Sequence, residues 1–258
     1  MSLASLLRLT ELDNDRFEVL PPGDQPLFGG CSIALGLAAA ARTAPEGMAP
    51  KSLHAAFPRA GRWGTETALC VERVATGRST AQREVRVNQA ERTVATLTVL
   101  FHVPGAGEDW QADAPSAIVP PEECDEATSA LPEPYFELRT VDTAPASPLS
   151  GSSHPFWARP LVEPGEEALD PAIAMAFISD YLVVFSMHQS GLELGEAPTI
   201  RTLTHDLWFH RPVEEGSWLL YTAEPTTLSE GRGLARGSIV DRRGHLVASY
   251  VQEVVLQS

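Results

Sequence analysis

Positive charge is scarce in this 258-residue chain: 19 Lys and Arg stand against 34 Asp and Glu, a formal net charge of −15. Such a field repels phosphate backbones, so general nucleic-acid binding is excluded as a working class. A small anionic ligand would need its own local cluster of Arg. Cysteine is nearly absent too. Cys31, Cys70 and Cys124 are the only three, they form no C-x-x-C pair, and they cannot all be bridged to one another. That usage suits a reducing compartment and argues against a zinc site. No run of residues reaches the ~18 apolar positions of a membrane span. The first twenty residues carry Arg8, Glu11, Asp13, Asp15 and Arg16, so no signal peptide is read there and a cytoplasmic location is expected.

Several familiar motifs are missing as well. No G-x-S-x-G elbow and no H-E-x-x-H occurs. The glycine-rich stretch Gly231–Gly237 has the wrong spacing for a dinucleotide loop and leads into a strand pattern, so it reads as a turn. His205 and His210 are an odd number of positions apart on a strand pattern, which sends them to opposite faces and away from a shared metal.

What remains is an ordinary globular composition, 43% hydrophobic and 21% charged, with a clear division. From Pro104 to about Pro134 the chain is rich in Pro, Gly, Ala, Asp and Glu, and reads as a linker. The flanks are alike. The first gives a strand at Arg16–Leu20, an apolar helix over Gly30–Arg42, and strands near Ser52–Phe57, Thr65–Ala75, Ser79–Gln89 and Thr93–His102. The second gives strands at Tyr135–Val141 and Pro155–Leu161 and an apolar helix over Pro171–His188. Strands follow near Thr199–His210, Trp218–Pro225, Gly233–Asp241 and His245–Leu256.

Asp170 stands at the N-cap of the second helix, Pro171 at its first position and Gly191 where a left-handed C-terminal residue would sit. Local sequence repeats too: Gly77-Arg78 precedes Val94-Ala95-Thr96 as Gly231-Arg232 precedes Val247-Ala248-Ser249. A helix packed across one antiparallel sheet, twice over, is the α+β arrangement of a double hotdog. The expected division is one unit at 1–103, a linker at 104–133, and a second unit at 134–258, with the two sheets joined edge to edge.

Three polar residues stand in apolar patterns. Asp180 lies in the middle of the second helical segment, Gln252 lies inside the last strand where the repeat puts Val99, and Thr202 lies on the strand before His205. Each alone fits a satisfied structural role as well as a functional one.

Taken together with motifs along most of the chain, they carry a resemblance. Leu6-Leu7-Arg8-Leu9, Phe28-Gly29-Gly30, His54-Ala55-Ala56-Phe57 with Arg59 and Gly61, and Gly77-Arg78-Ser79 with Arg83 belong to it. So do Ser179-Asp180, Trp208-Phe209-His210-Arg211-Pro212, Trp218-Leu219-Leu220-Tyr221 and Val251-Gln252-Glu253. The chain resembles the acyl-CoA thioesterase II (TesB-like) family, whose fold is a double hotdog. It departs from that pattern at Thr204, where an Asp is usual before the strand His, at Pro58 and Ala60, and at Cys31, where a Gln is common.

The resemblance implies hydrolysis of an acyl-CoA thioester to acid and free CoA, with Asp180, Thr202 and Gln252 holding the attacking water and no cofactor or metal. In an acidic chain the CoA phosphates need local Arg, and Arg59, Arg83, Arg232 and Arg236 are the candidates. The partner is then the acyl-CoA substrate, without nucleic acid or membrane. Hotdog sheets pair across subunits, so a homodimer or higher homo-oligomer is expected. Two other readings stay open: a catalytically degenerate hotdog that binds acyl-CoA or a partner, and an acyl-CoA hydratase or dehydratase. The last would need a His–Asp pair poised on substrate, with His54 or His205 as its histidine.

Overall fold

Strict alternation of small or branched apolar residues with charged ones over Thr80–Gln89 sets the character of the fold. Ala81, Val85 and Val87 are buried while Glu84 and Arg86 are exposed, so one sheet face meets a core and the other meets solvent. The computed structural model describes residues 2–112, 119–131, 133–141, 155–162, 165–166, 169–181, 183 and 199–257.

The first half holds a short helix α1 (Leu3–Leu6), strands β1 (Thr10–Glu11) and β2 (Arg16–Val19), and helix α2 (Gly29–Thr43). Strands β3 (Ala49–Ala56), β4 (Thr67–Thr76), β5 (Thr80–Gln89) and β6 (Arg92–His102) follow. The second half holds β7 (Asp125–Ala127), β8 (Phe136–Thr140), β9 (Phe156–Pro160) and helix α3 (Pro171–Ile178). It ends with β10 (Thr199–Phe209), β11 (Leu219–Ser229), β12 (Arg232–Val240) and β13 (Leu246–Gln257).

All strands among the described residues join one 13-stranded antiparallel sheet in the order β1-β2-β4-β5-β6-β3-β10-β13-β12-β11-β9-β8-β7. The halves meet where β3 pairs β10, from Thr204 opposite Ala56 to Trp208 opposite Ser52. Each half wraps its sheet around one helix, and α2 and α3 pack against each other. This is a double hotdog. No helix among the described residues is long and apolar enough to cross a membrane.

Helix α2 is buried on every side from Gly30 to Ala40, as a helix enclosed by a sheet must be. Helix α3 starts where its sequence signals put it: the Asp170 carboxylate accepts from the Ala172 N–H at 2.8 Å, and Pro171 takes the first helical position. Its C-terminus differs from expectation. The helix stops at Ile178, and Asp180 stands in the turn beyond it instead of in mid-helix. Ser179 Oγ lies 3.1 Å from the Ala176 carbonyl oxygen, and the Tyr181 N–H bonds Ile178 instead of continuing the α pattern. Beyond Tyr181, the rest of the expected helix to His188 apart from Val183, and Gly191, lie outside the described residues.

Two more expectations are refined. The segment expected as linker contributes a 3₁₀ turn at Pro121–Glu123 and the edge strand β7, whose Asp125–Ala127 pair with Leu138–Thr140 of β8. Gln111 also bonds the Gly244 carbonyl and the Leu246 N–H, tying the segment to the turn before β13. The turn read over Gly231–Gly237 is confined to Glu230 and Gly231, where Gly231 takes φ +70°, and Arg232–Gly237 already belong to β12.

Candidate active site

Asp180 is the centre of a buried polar cluster drawn from both halves. Its Oδ2 accepts from the Gly30 N–H at 2.8 Å, one of the amides that the first turn of α2 leaves without an intrahelical partner. A carboxylate there also meets the positive end of the helix dipole. The close approach explains the two glycines. A Cβ on Gly29 would stand 2.6 Å from Asp180 Oδ2, and one on Gly30 would stand 2.2 Å from the Phe177 carbonyl oxygen.

Thr202 and Gln252 reach the same spot from β10 and β13. The Thr202 hydroxyl lies 3.4 Å from Asp180 Oδ1, and Gln252 Nε2 donates to Thr202 Oγ1 at 2.9 Å. A regular strand would not allow this, because Thr202 and His205, separated by two residues, would face opposite sides. The register of β10 against β13 slips between Thr202 and Thr204, a bulge that returns Thr202 to the inner face. The carbonyl of the bulged Leu203 is taken by the Phe57 N–H at 2.9 Å, so the irregularity is satisfied from the other half.

Two further residues complete the cluster. His205 Nδ1 lies 2.8 Å from Gln252 Oε1, and its Nε2 lies 2.9 Å from Ser179 Oγ. The ring stacks on Tyr250, with centroids 5.7 Å apart. Sequence reading gave His205 to a different chemistry and left Ser179 without a role. A signal was available for Ser179, which stands beside Asp180 in an apolar run; for His205 the sequence offered none, because its partner Gln252 is remote in the chain.

Burial sets the electrostatics. It raises the Asp180 carboxyl from 3.8 to about 7, against the opposing bonds from Gly30, Thr202 and Gln252. Burial also lowers the His205 imidazole from 6.5 to about 4, opposed by Gln252 and by the charge of Asp206. The site therefore holds a carboxylate that exchanges its proton near neutrality and an imidazole that stays neutral.

The four arginines fare differently. Arg83 is wholly buried and is corrected as a phosphate contact. Its guanidinium is consumed by Thr43 Oγ1 at 2.9 Å, the Thr43 carbonyl at 2.7 Å, and the carbonyls of Ala75 and Gln82. It closes the C-terminus of α2, where a cation opposes the helix dipole. Arg232 and Arg236 are exposed on the sheet face opposite Asp180, because Ala235 is the residue that pairs Gln252 on the inner face. Arg236 is paired with Glu224 at 3.2 Å. Arg59 is exposed in the loop after Phe57, and the Phe57 ring reaches to within 3.5 Å of a Cβ built on Gly29.

His54 does pair with an aspartate, Asp206, at 3.0 Å, but on the solvent face of the sheet. His205 faces inward and stands 3.9 Å from Asp180 Oδ1, beyond a direct hydrogen bond. Neither histidine therefore makes the inward His–Asp pair that hydration chemistry asks for. A cleft along α3, lined by Pro160, Leu169, Met175, Ile178 and Tyr221 among others, includes none of the Asp180 cluster. Among the described residues no group of His, Cys, Asp and Glu is placed to hold a metal.

Comparison with known proteins gives the chain's family. Residues 19–102 match the model of the acyl-CoA thioesterase N-terminal domain, and residues 121–256 match that of the acyl-CoA thioesterase C-terminal domain. The chain is similar to acyl-CoA thioesterase 2 of Haemophilus influenzae, 30% identical over 99% of this chain and 97% of that protein. It is 28% identical to mouse acyl-coenzyme A thioesterase 8 over 99% of this chain and 88% of the relative. Among solved structures, the acyl-CoA thioesterase II TesB2 of Mycobacterium marinum superposes with a TM-score of 0.78 at 28% identity, covering 98% of this chain and 95% of that one.

Proposed function

The chain belongs to the acyl-CoA thioesterase family and is a thioester hydrolase, and we propose that Asp180, Thr202 and Gln252 hold the water with which it cleaves an acyl-CoA. The observation that carries this reading is their meeting on one buried carboxylate whose pKa is raised to about 7. A general base works best with a pKa near the operating pH, and the environment of Asp180 supplies one.

The chemistry balances without a covalent intermediate. The water oxygen adds to the thioester carbonyl carbon as its proton passes to Asp180. The carbon–sulfur bond then breaks, the departing CoA sulfur takes up the proton held by Asp180, and the acid and free CoA thiol are released with the carboxylate restored. Thr202 and Gln252 orient the water through their hydroxyl and amide. The Gly30 N–H fixes the carboxylate, and the N-terminal end of α2 favours the negative charge that develops beside it. Arg59 is our remaining candidate for a CoA phosphate contact. In this reading the chain comprises two hotdog units, 1–103 and 134–258, with β7 added to the second, and works as a homo-oligomer in the cytoplasm.

Release of free thiol from a panel of acyl-CoAs tests the proposal. Asp180→Asn is close to isosteric, keeps the bond from Gly30, and loses the charge that draws the water's proton. It should fold and lose roughly 10²-fold or more in kcat. A folded Asp180→Asn protein with near-normal turnover refutes the assignment. Absence of thiol release from every acyl-CoA by the wild-type chain would favour the degenerate binding hotdog instead.

A further inference from the structure

The row of side chains that crosses the sheet at the site has a counterpart in the first half. His205 of β10 faces Gln252 of β13, which faces Ala235 of β12. In the first half Leu53 of β3 faces Val99 of β6, which faces Arg83 of β5. A Leu–Val pair thus occupies the register that holds a His–Gln pair in the second half, and all four side chains are fully buried. An imidazole and an amide at such positions are costly unless their donors and acceptors are all engaged.

They are engaged in a single chain. Ser179, His205, Gln252, Thr202 and Asp180 follow one another at 2.9, 2.8, 2.9 and 3.4 Å. Such a chain has two directions, because a carboxamide can present either end and a neutral imidazole either nitrogen as donor. An ionised Asp180 only accepts, so it selects one direction. Thr202 donates to Asp180, Gln252 Nε2 donates to Thr202 and His205 Nδ1–H donates to Gln252 Oε1, which leaves His205 Nε2 an acceptor; the single Ser179 proton then turns to it at 2.9 Å in preference to the Ala176 carbonyl at 3.1 Å. The reverse direction would turn the Thr202 proton onto the amide oxygen and leave two acceptors facing each other at Asp180.

We propose that His205 is a positioning residue, held as its neutral Nδ1–H tautomer by Ser179, that fixes the sense of the Gln252 amide and through it the Thr202 hydroxyl on Asp180. This rests on the reading of Asp180, Thr202 and Gln252 as the hydrolytic centre. His205 itself touches no substrate; its effect is on how the water is held. Its deep burial keeps the ring neutral, as the role requires.

The test uses His205→Leu, a side chain that the sheet already accepts at Leu53, and His205→Asn, whose amide can still donate to Gln252. His205→Leu should remain folded with its melting temperature within a few degrees of wild type, and lose about tenfold or more in kcat with KM nearly unchanged. His205→Asn should recover most of that loss. Imidazole ¹⁵N NMR of the wild-type chain in alkaline buffer, with Asp180 ionised, should show the proton on Nδ1. Wild-type kcat in His205→Leu, or a proton on Nε2, overturns the proposal. Equal loss of kcat in both variants, matched by equal loss of stability, assigns His205 a packing role and overturns it too. Near-normal turnover in Asp180→Asn would instead refute the hydrolytic centre, and the NMR result would still decide the tautomer.

Discussion

The Asp180 carboxylate caps a helix to which it does not belong: its Oδ2 lies 2.8 Å from the backbone nitrogen of Gly30, at the second position of α2. One bond therefore joins the turn after α3 in the second half to the helix start of the first. It also fixes the base that the proposed reaction uses, and several outcomes follow from that coupling.

Gly29→Ala puts a methyl group 2.6 Å from Asp180 Oδ2. The obstructed atom is the end of a side chain, so the carboxylate moves and the fold survives. We expect kcat to fall at least about tenfold with little change in melting temperature, since displacing a catalytic group by an ångström costs far more rate than stability. Unchanged turnover would mean that the Asp180–Gly30 contact is not needed for chemistry.

Turnover should rise with pH through about 7, as Asp180 ionises, and then level. Stability carries a second signature. The Asp180 carboxyl is raised from 3.8 to about 7, so between those values the native state binds more protons and this group's stabilisation is lost as pH rises. His205 is lowered from 6.5 to about 4, so between those values the unfolded state binds more protons and stability rises with pH. From about 4 to 6.5 the two slopes oppose each other. Denaturant unfolding across that window should show Asp180→Asn with a more positive slope than wild type and His205→Leu with a more negative one. Parallel curves for all three proteins would contradict this assignment.

Thr202→Ala and Gln252→Ala should each lower kcat less than Asp180→Asn. The double variant should be well short of the product of the two, because groups that hold one water act as a unit. Strict multiplicativity in a double-mutant cycle would separate their roles.

Arg59 and Arg83 should divide cleanly. Arg59→Ala should raise KM for acyl-CoA a few-fold, the size of one exposed charge contact at ~1 kcal/mol or less, and leave the melting temperature alone. Arg83→Ala should leave KM alone and cost about 3 kcal/mol, since it strips bonds from buried carbonyls at Thr43 and Ala75. The reverse pattern would reinstate Arg83 as a ligand contact.

Tyr135 offers a control away from the chemistry. It is fully buried, stacked on Trp63, and its hydroxyl has no partner among the described residues. Tyr135→Phe removes an unsatisfied polar atom without changing the packing, so it should stabilise the chain by up to ~1 kcal/mol. A marked loss of stability would show that the hydroxyl is satisfied in solution.

Alternation and helical burial determined a great deal here before any coordinates. The period of two over Ala81, Val85 and Val87, and the all-round apolar faces of the two helices, specify a sheet wrapped around helices because burial requires it. Applied strictly, the same period would have exposed the error over Arg83, which is in step with Val85 and therefore points inward. Asp170-Pro171 fixed the start of α3, since capping is local chemistry. Only the tertiary structure decided the rest. The bulge at Leu203 that turns Thr202 inward depends on pairing with β13, the end of α3 at Ile178 depends on what Ser179 and Asp180 bond to, and the bond from Gly30 spans the two halves. Each is set by partners distant in the chain, and a local pattern carries no information about a partner it does not contain.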